Sequence, residues 1–96
     1  MLYLVHMIVN IPATLAPEEA ARIKADEKAY SQGLQQAGKW PHLWRVVGEY
    51  ANYSVFDVAS NDELHTTLSN LPLFPFMKIT VTPLAKHPSS IVWVQF

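Results

Sequence analysis

One carboxylate in this chain lies where a carboxylate is costly. Residues 16 to 37 read as a helix at about 3.6 residues per turn. Ala16, Ala20, Ile23, Tyr30, Leu34 and Ala37 then share one apolar stripe, and Glu27 falls inside it. Losing water disfavours the charged form of a carboxylate and raises its pKa toward neutrality. A carboxyl group poised in that way can take up and return a proton at physiological pH. Glu27 is therefore a candidate general base. The competing reading is a carboxylate at the edge of the stripe, paired with Lys24 or Lys28.

Other residues could serve the same chemistry. Arg45 stands in an apolar run between Trp44 and Val46. A guanidinium there either binds an anion or forms an ion pair, with Glu27 as one possible partner. Tyr30, one turn after Glu27, could hydrogen-bond a substrate oxygen, as could Tyr53 and Asn52. Each also reads as an ordinary half-buried residue. His42 shares a strand face with Trp40 and Trp44, and His6 interrupts one face of the first strand. Either is a pocket donor or a satisfied core histidine. His65 reads as a surface residue, and His87, before Pro88, could reach a neighbour's pocket. The four histidines show no metal spacing, the three glycines no phosphate loop, and no serine stands in a nucleophile elbow. The three tryptophans read as packing residues.

Those side chains need a scaffold. Residues 2 to 11 are β-branched and large apolar types and read as a strand ending at Pro12. Pro17, Glu18 and Glu19 suit the first turn of the helix, and Gly38 its end. Residues 40 to 47 and 52 to 58 read as two strands around a turn at Gly48 to Ala51. Ser60 and Glu63 form a capping box for a second helix bearing Leu64, Leu68 and Leu71. Pro72 and Pro75 break the chain at LPLFPF. Residues 77 to 83 alternate as a fourth strand, with Met77, Ile79 and Val81 on one side, and a tail runs from 84 to 96.

The order β-α-β-β-α-β is the ferredoxin-like arrangement, an α+β fold whose two helices cover one face of an antiparallel sheet. The first strand is apolar on both sides, so its second face needs cover as well. Another copy of the chain is the expected cover, making a homo-oligomer joined through that face, with Ile91, Val92, Trp93 and Val94 of the tail also packed on a neighbour.

The chain has 96 residues, which suits a single domain. Charged residues make up only 16%, fitting a surface partly covered by subunits. A net charge of −1 without a basic run argues against nucleic acid. No cysteine is present, and no signal peptide or membrane span is visible, so the expected setting is the cytoplasm.

Three segments carry a resemblance over residues 1 to about 91: MLYLVHMIVNIP, IKADEKAYSQGLQQAGKWPHLWRVVGEYANYSVFDV and ELHTTLSNLPLFPFMKITVTPLAKHPSSI. They resemble the muconolactone Δ-isomerase family. The last residues, VWVQF, are less polar than family tails. The resemblance implies a cofactor-free cytoplasmic enzyme in the catechol branch of the β-ketoadipate pathway, with a ferredoxin-like fold, assembled as a decamer. It implies a shift of the ring double bond of muconolactone, a small lactone carboxylate, to give 3-oxoadipate enol-lactone. In that chemistry Glu27 suits the base, Arg45 the substrate carboxylate, and Lys24 or His42 the oxyanion. Asp57 is a weaker rival for the base. The alternatives are a methylmuconolactone isomerase, a cofactor-free monooxygenase of the same fold group, a dehalogenase-like protein, or a non-catalytic ligand-binding module.

Overall fold

The computed structural model describes residues 1 to 91. Strand β1 (Leu2–Val9) leads into helix α1 (Pro17–Gln36), strands β2 (His42–Arg45) and β3 (Ala51–Asp57), helix α2 (Asn61–Ser69) and strand β4 (Met77–Leu84), with a 3₁₀ turn at Phe74–Phe76. The strands lie in the order β2-β3-β1-β4, and every pairing is antiparallel. This is the ferredoxin-like arrangement. The element types match the sequence reading; β2 is shorter than expected at both ends, and β3 starts at Ala51.

Strand alternation decides which residues meet the helices. Tyr3, Val5 and Met7 of β1 point to the helix side and are almost fully buried. They form one cluster with Trp40, Phe56, Leu64, Leu68 and Leu71, against which Tyr30, Leu34, Met77 and Ile79 pack. The Tyr30 hydroxyl donates to the Thr67 carbonyl at 3.1 Å and so ties α1 to α2. Both helices therefore cover the same sheet face. On the other face, register aligns His6 of β1, Tyr53 of β3 and Trp44 of β2 in a row across three strands. The His6 and Tyr53 rings stack at 4.4 Å. His42 stacks on Trp44 at 4.9 Å. The sequence suggested that Trp40 shares a face with His42 and Trp44, but it precedes β2 and packs on Phe56 at 4.5 Å, on the helix side.

The helix ends follow from local chemistry. Gly38 adopts a φ of +77°, a conformation costly for a residue with a Cβ. That geometry lets the Lys39 amide donate to the Leu34 carbonyl and the Gly38 amide to the Gln35 carbonyl, both at 3.0 Å, closing α1. At the start of α2 the Ser60 hydroxyl accepts from the Glu63 amide at 3.1 Å. The Glu63 carboxylate accepts from the Ala59 amide at 2.7 Å, one residue before the position a reciprocal capping box would use. Lys39 pairs with Glu63 at 2.7 Å and holds its carboxyl below the usual range.

After β4 the chain to Ile91 forms no further helix or strand. Beyond Ile91, which is exposed, the expected packing of the tail on a neighbour falls outside the described residues. Replacing Ser60 with Ala removes an N-cap acceptor. It should cost about 1 kcal/mol, read as a lower denaturation midpoint at unchanged slope.

Candidate functional site

The site forms where α1 crosses the helix-facing side of β2 and β3. Glu27 is half-buried on the inward face of α1, four residues before Ser31, the buried residue of that helix. Leu43 and Arg45 of β2 face the same side, opposite Ser54 and Asn52 of β3. Between them lies a cavity of about 400 Å³. Its walls include the buried residues Val9, Trp40, Ala51 and Leu73; Lys24, Arg45 and Tyr50, all exposed, stand at its margin. The volume suits a small organic ligand, and the mixture of apolar walls with a few charged groups is that of a binding pocket.

Glu27 is the chemical centre of this cavity. Among the described residues no cation lies within ion-pair distance of it, so the expected pairing with Lys24, Lys28 or Arg45 does not form. Instead its Oε1 accepts a hydrogen bond from the Leu73 amide at 2.9 Å. The LPLFPF break explains that donor. Pro72 and Pro75 have no N–H, and the Phe74 and Phe76 amides bond back to Leu71 and Leu73. The Leu73 N–H is left over and points at the carboxylate. Burial pushes the Glu27 pKa above its ordinary value of 4.5, and the Leu73 bond opposes the shift only in part. The nearby Glu27 charge adds to burial in raising the Tyr30 pKa as well.

Of the three cations lining the cavity, Lys24, Lys28 and Arg45, two meet at one aromatic ring. Arg45, the last residue of β2 rather than a mid-strand one, lies with its guanidinium carbon 5.3 Å from the Tyr50 ring centre. The Lys24 ammonium is 6.0 Å from the same centre, at the outer limit of a cation–π contact. Tyr50 is held by the β2–β3 turn. Gly48 there has a φ of +80°, and the Tyr50 carbonyl accepts from the Val9 amide at 3.0 Å. Two positive groups thus converge on the cavity mouth without neutralising the carboxyl inside.

Of the residues singled out in the sequence, Glu27, Lys24, Arg45 and Asn52 line this cavity. The Asn52 Oδ1 accepts from the Ser54 hydroxyl at 2.7 Å. Tyr30 lies near Glu27, but its hydroxyl is bonded to Thr67. His42 and Tyr53 are not brought to the cavity. Adjacent strand residues point to opposite faces, so they lie on the far side of the sheet with His6 and Trp44. Asp57 pairs with the amino terminus at 3.3 Å, away from the cavity. His65 is exposed on α2, and the His87 ring accepts from the Ser89 amide. Trp40, Ser31, Leu73 and Tyr50 were not among the expected site residues. Only the leftover N–H between two prolines offered a sequence signal for any of them. Among the described residues no cluster of His, Cys, Asp or Glu could hold a metal ion, and no helix is long and apolar enough to cross a membrane.

The family of muconolactone delta-isomerases matches residues 1–90 of this chain. The chain belongs to the muconolactone Δ-isomerase family. A muconolactone Δ-isomerase of Cupriavidus pinatubonensis is 70% identical over 91 residues, covering 95% of this chain and 99% of that protein. One from Acinetobacter lwoffii is 67% identical, with 95% of each covered. A crystal structure of muconolactone isomerase at 3.3 Å resolution superposes with a TM-score of 0.94 at 53% identity, covering 100% of both chains. That muconolactone isomerase therefore shares the frame of this chain over its whole length.

The raised Glu27 pKa has a consequence for stability. The folded state binds this proton more tightly than the unfolded one. The stability linked to the neutral form is fully present below the ordinary value of 4.5 and is lost as pH rises through the folded pKa. Glu27→Gln keeps an acceptor for the Leu73 N–H and carries no charge. It should melt at a higher temperature than the parent near neutrality, and the gap should close on acidification. A parent protein equally or more stable near neutrality would contradict the desolvation.

Proposed function

We propose that this chain is an intramolecular isomerase that shifts the ring double bond of muconolactone to give 3-oxoadipate enol-lactone. One observation carries the reading: a half-buried carboxyl, with its pKa raised and no cation paired to it among the described residues, lines a ligand-sized cavity with positive groups at its mouth. Family membership supplies the substrate, since the relatives carry that activity in their names. A non-catalytic binding module would have no need of a desolvated base.

The proposed mechanism uses that geometry. The Glu27 carboxylate removes the proton from the ring carbon bearing the acetate arm. The electron pair moves through the ring double bond to the lactone carbonyl, giving a dienolate. The protonated Glu27 then delivers the proton to the carbon next to the carbonyl. The proton lost equals the proton returned, and no electron leaves the substrate. A single carboxyl can serve both carbons, because one ring atom separates them. A base with a pKa above the ordinary glutamate value is better matched to a weakly acidic C–H and still releases the proton afterwards. Arg45 and Lys24 at the mouth suit the acetate arm, a bidentate partner for the guanidinium. Asn52, which lines the cavity, would orient the ring.

The assembly belongs to the same proposal. The sheet face opposite the helices exposes Trp44, Tyr53 and Leu84, with Trp44 54% accessible. Low charge content fits another copy of this chain seated there, in a homo-oligomer of the decameric size the family resemblance implies, working in the cytoplasm on the catechol branch of the β-ketoadipate pathway.

Two measurements check this reading. Muconolactone isomerisation, followed by ultraviolet absorbance, should proceed with the purified protein. It should slow by about 10²-fold or more in kcat for Glu27→Gln. Arg45→Ala should mainly raise KM, because anchoring of the acetate is similar in ground and transition states. Near-normal turnover by Glu27→Gln would remove that residue from the role. Separately, Trp44→Glu should lower the sedimentation coefficient while the far-ultraviolet dichroism stays unchanged. An unaltered sedimentation profile would move the interface elsewhere.

A further inference from the structure

The mechanism above leaves the developing negative charge on the lactone oxygen without an assigned donor. Lys24 and Arg45 sit at the cavity margin, where they suit the acetate arm. Strand β3 supplies another polar group. Asn52 and Ser54 are two residues apart on it and so share the helix-facing side. Asn52 is half-buried and lines the cavity. The two ends of its amide are used differently. The Oδ1 accepts from the Ser54 hydroxyl at 2.7 Å. The Nδ2 makes no hydrogen bond among the described residues, and it is not one of their buried polar atoms lacking a partner. Its two N–H donors are therefore open to a ligand, and the open space that Asn52 borders is the cavity.

A buried hydroxyl fixes which end of the amide is free. Ser54 is 0% exposed, so its O–H proton needs an acceptor inside the protein, and the Asn52 Oδ1 is that acceptor. Turning the amide over would set an N–H against the Ser54 oxygen and leave the buried hydroxyl proton without an acceptor. The carbonyl end is thus kept toward Ser54 and the donors toward the cavity.

We infer that the Asn52 side-chain amide donates an Nδ2–H to the lactone carbonyl oxygen as the dienolate forms, and that Ser54 is the positioning residue that holds the amide in this orientation. The inference rests on the isomerase reading and goes further than orienting the ring. A neutral donor held in place in advance suits an oxygen whose charge develops only in the transition state. The same amide reversed would present a carbonyl to that charge and oppose it. A neutral donor also leaves Glu27 without a counter-ion, as the proton transfer requires.

Asn52→Leu keeps the size and shape of the side chain and deletes the donor. The expected result is a fall in kcat of about 10²-fold with KM changed little. Ser54→Ala should lower kcat by about 10-fold or more, again with little change in KM, because the amide is free to turn. Added to Asn52→Leu, Ser54→Ala should have no further effect on kcat, since it acts through the amide already removed. A kcat within twofold of the parent for Asn52→Leu overturns the inference, and so does a change confined to KM. A second fall in kcat in the double variant, as large as that of Ser54→Ala alone, would make Ser54 a packing residue and overturn its positioning role. The parent enzyme reports on the underlying reading separately. If it does not isomerise muconolactone, that reading fails; if it does and Asn52→Leu is equally fast, only the Asn52 and Ser54 roles fail. Should the variants not fold, the parent amide can be observed directly through its ¹H–¹⁵N side-chain signals. Adding the saturated lactone acetate, which has no double bond to move, should shift one Asn52 Nδ2 proton downfield in a saturable manner. Asn52 signals that stay in place while those of Tyr50 or Arg45 move would overturn the assignment.

Discussion

The site depends on keeping the Glu27 carboxyl out of water without giving it a cation. Desolvation alone would leave a buried charge so costly that the group would stay protonated or the helix would turn it outward. A paired lysine would have the opposite effect and lower the pKa below the range useful for carbon acids. The Leu73 amide lies between these extremes. It donates one neutral hydrogen bond at 2.9 Å, enough to fix the carboxyl but too little to cancel the effect of burial. That donor is free because two prolines and two short-range amide bonds use up its neighbours. A local irregularity in the chain thus moderates the effect of burial on a residue 46 positions away.

The sheet separates two tasks by the alternation of its strands. Leu43, Arg45 and Asn52 face the helices and build the cavity, whereas His42, Trp44 and Tyr53, their immediate neighbours, face the other way. The same alternation in β1 sends Tyr3, Val5 and Met7 into the core and Leu4, His6 and Ile8 to the aromatic row. A chemical site and an apolar outer face can therefore occupy one small sheet without competing for residues. The turn between β2 and β3 connects them to the cavity mouth, because it carries Tyr50 to the position where Lys24 and Arg45 meet.

The elements themselves were legible in the sequence. The two-sided apolar run of β1, Pro17 and Gly38 at the ends of α1, Ser60 at the start of α2 and the clean alternation of β4 are local signals, and the structure follows them. Their order named the fold, since few topologies accommodate β-α-β-β-α-β. The unusual place of Glu27 was legible for the same reason: helical periodicity is a property of neighbours in the chain.

What periodicity could not supply was the face on which separate strands agree. His42 and Arg45 are three residues apart, and only the register of β2 against β3 tells which of them meets α1. A one-residue slip would exchange them. Nor could the sequence say that Glu27 has an amide for a partner rather than a lysine, or that Trp40 lines the same cavity. Both depend on residues far apart in the chain being packed within a few ångströms. The sequence by itself determined the elements, their order and the one carboxylate set among apolar neighbours, because each rests on contacts within a turn or a strand. The tertiary structure alone decided the cavity, the Leu73 donor and the loss of water that raises the pKa of that carboxylate, because desolvation is created by what the rest of the chain brings against it.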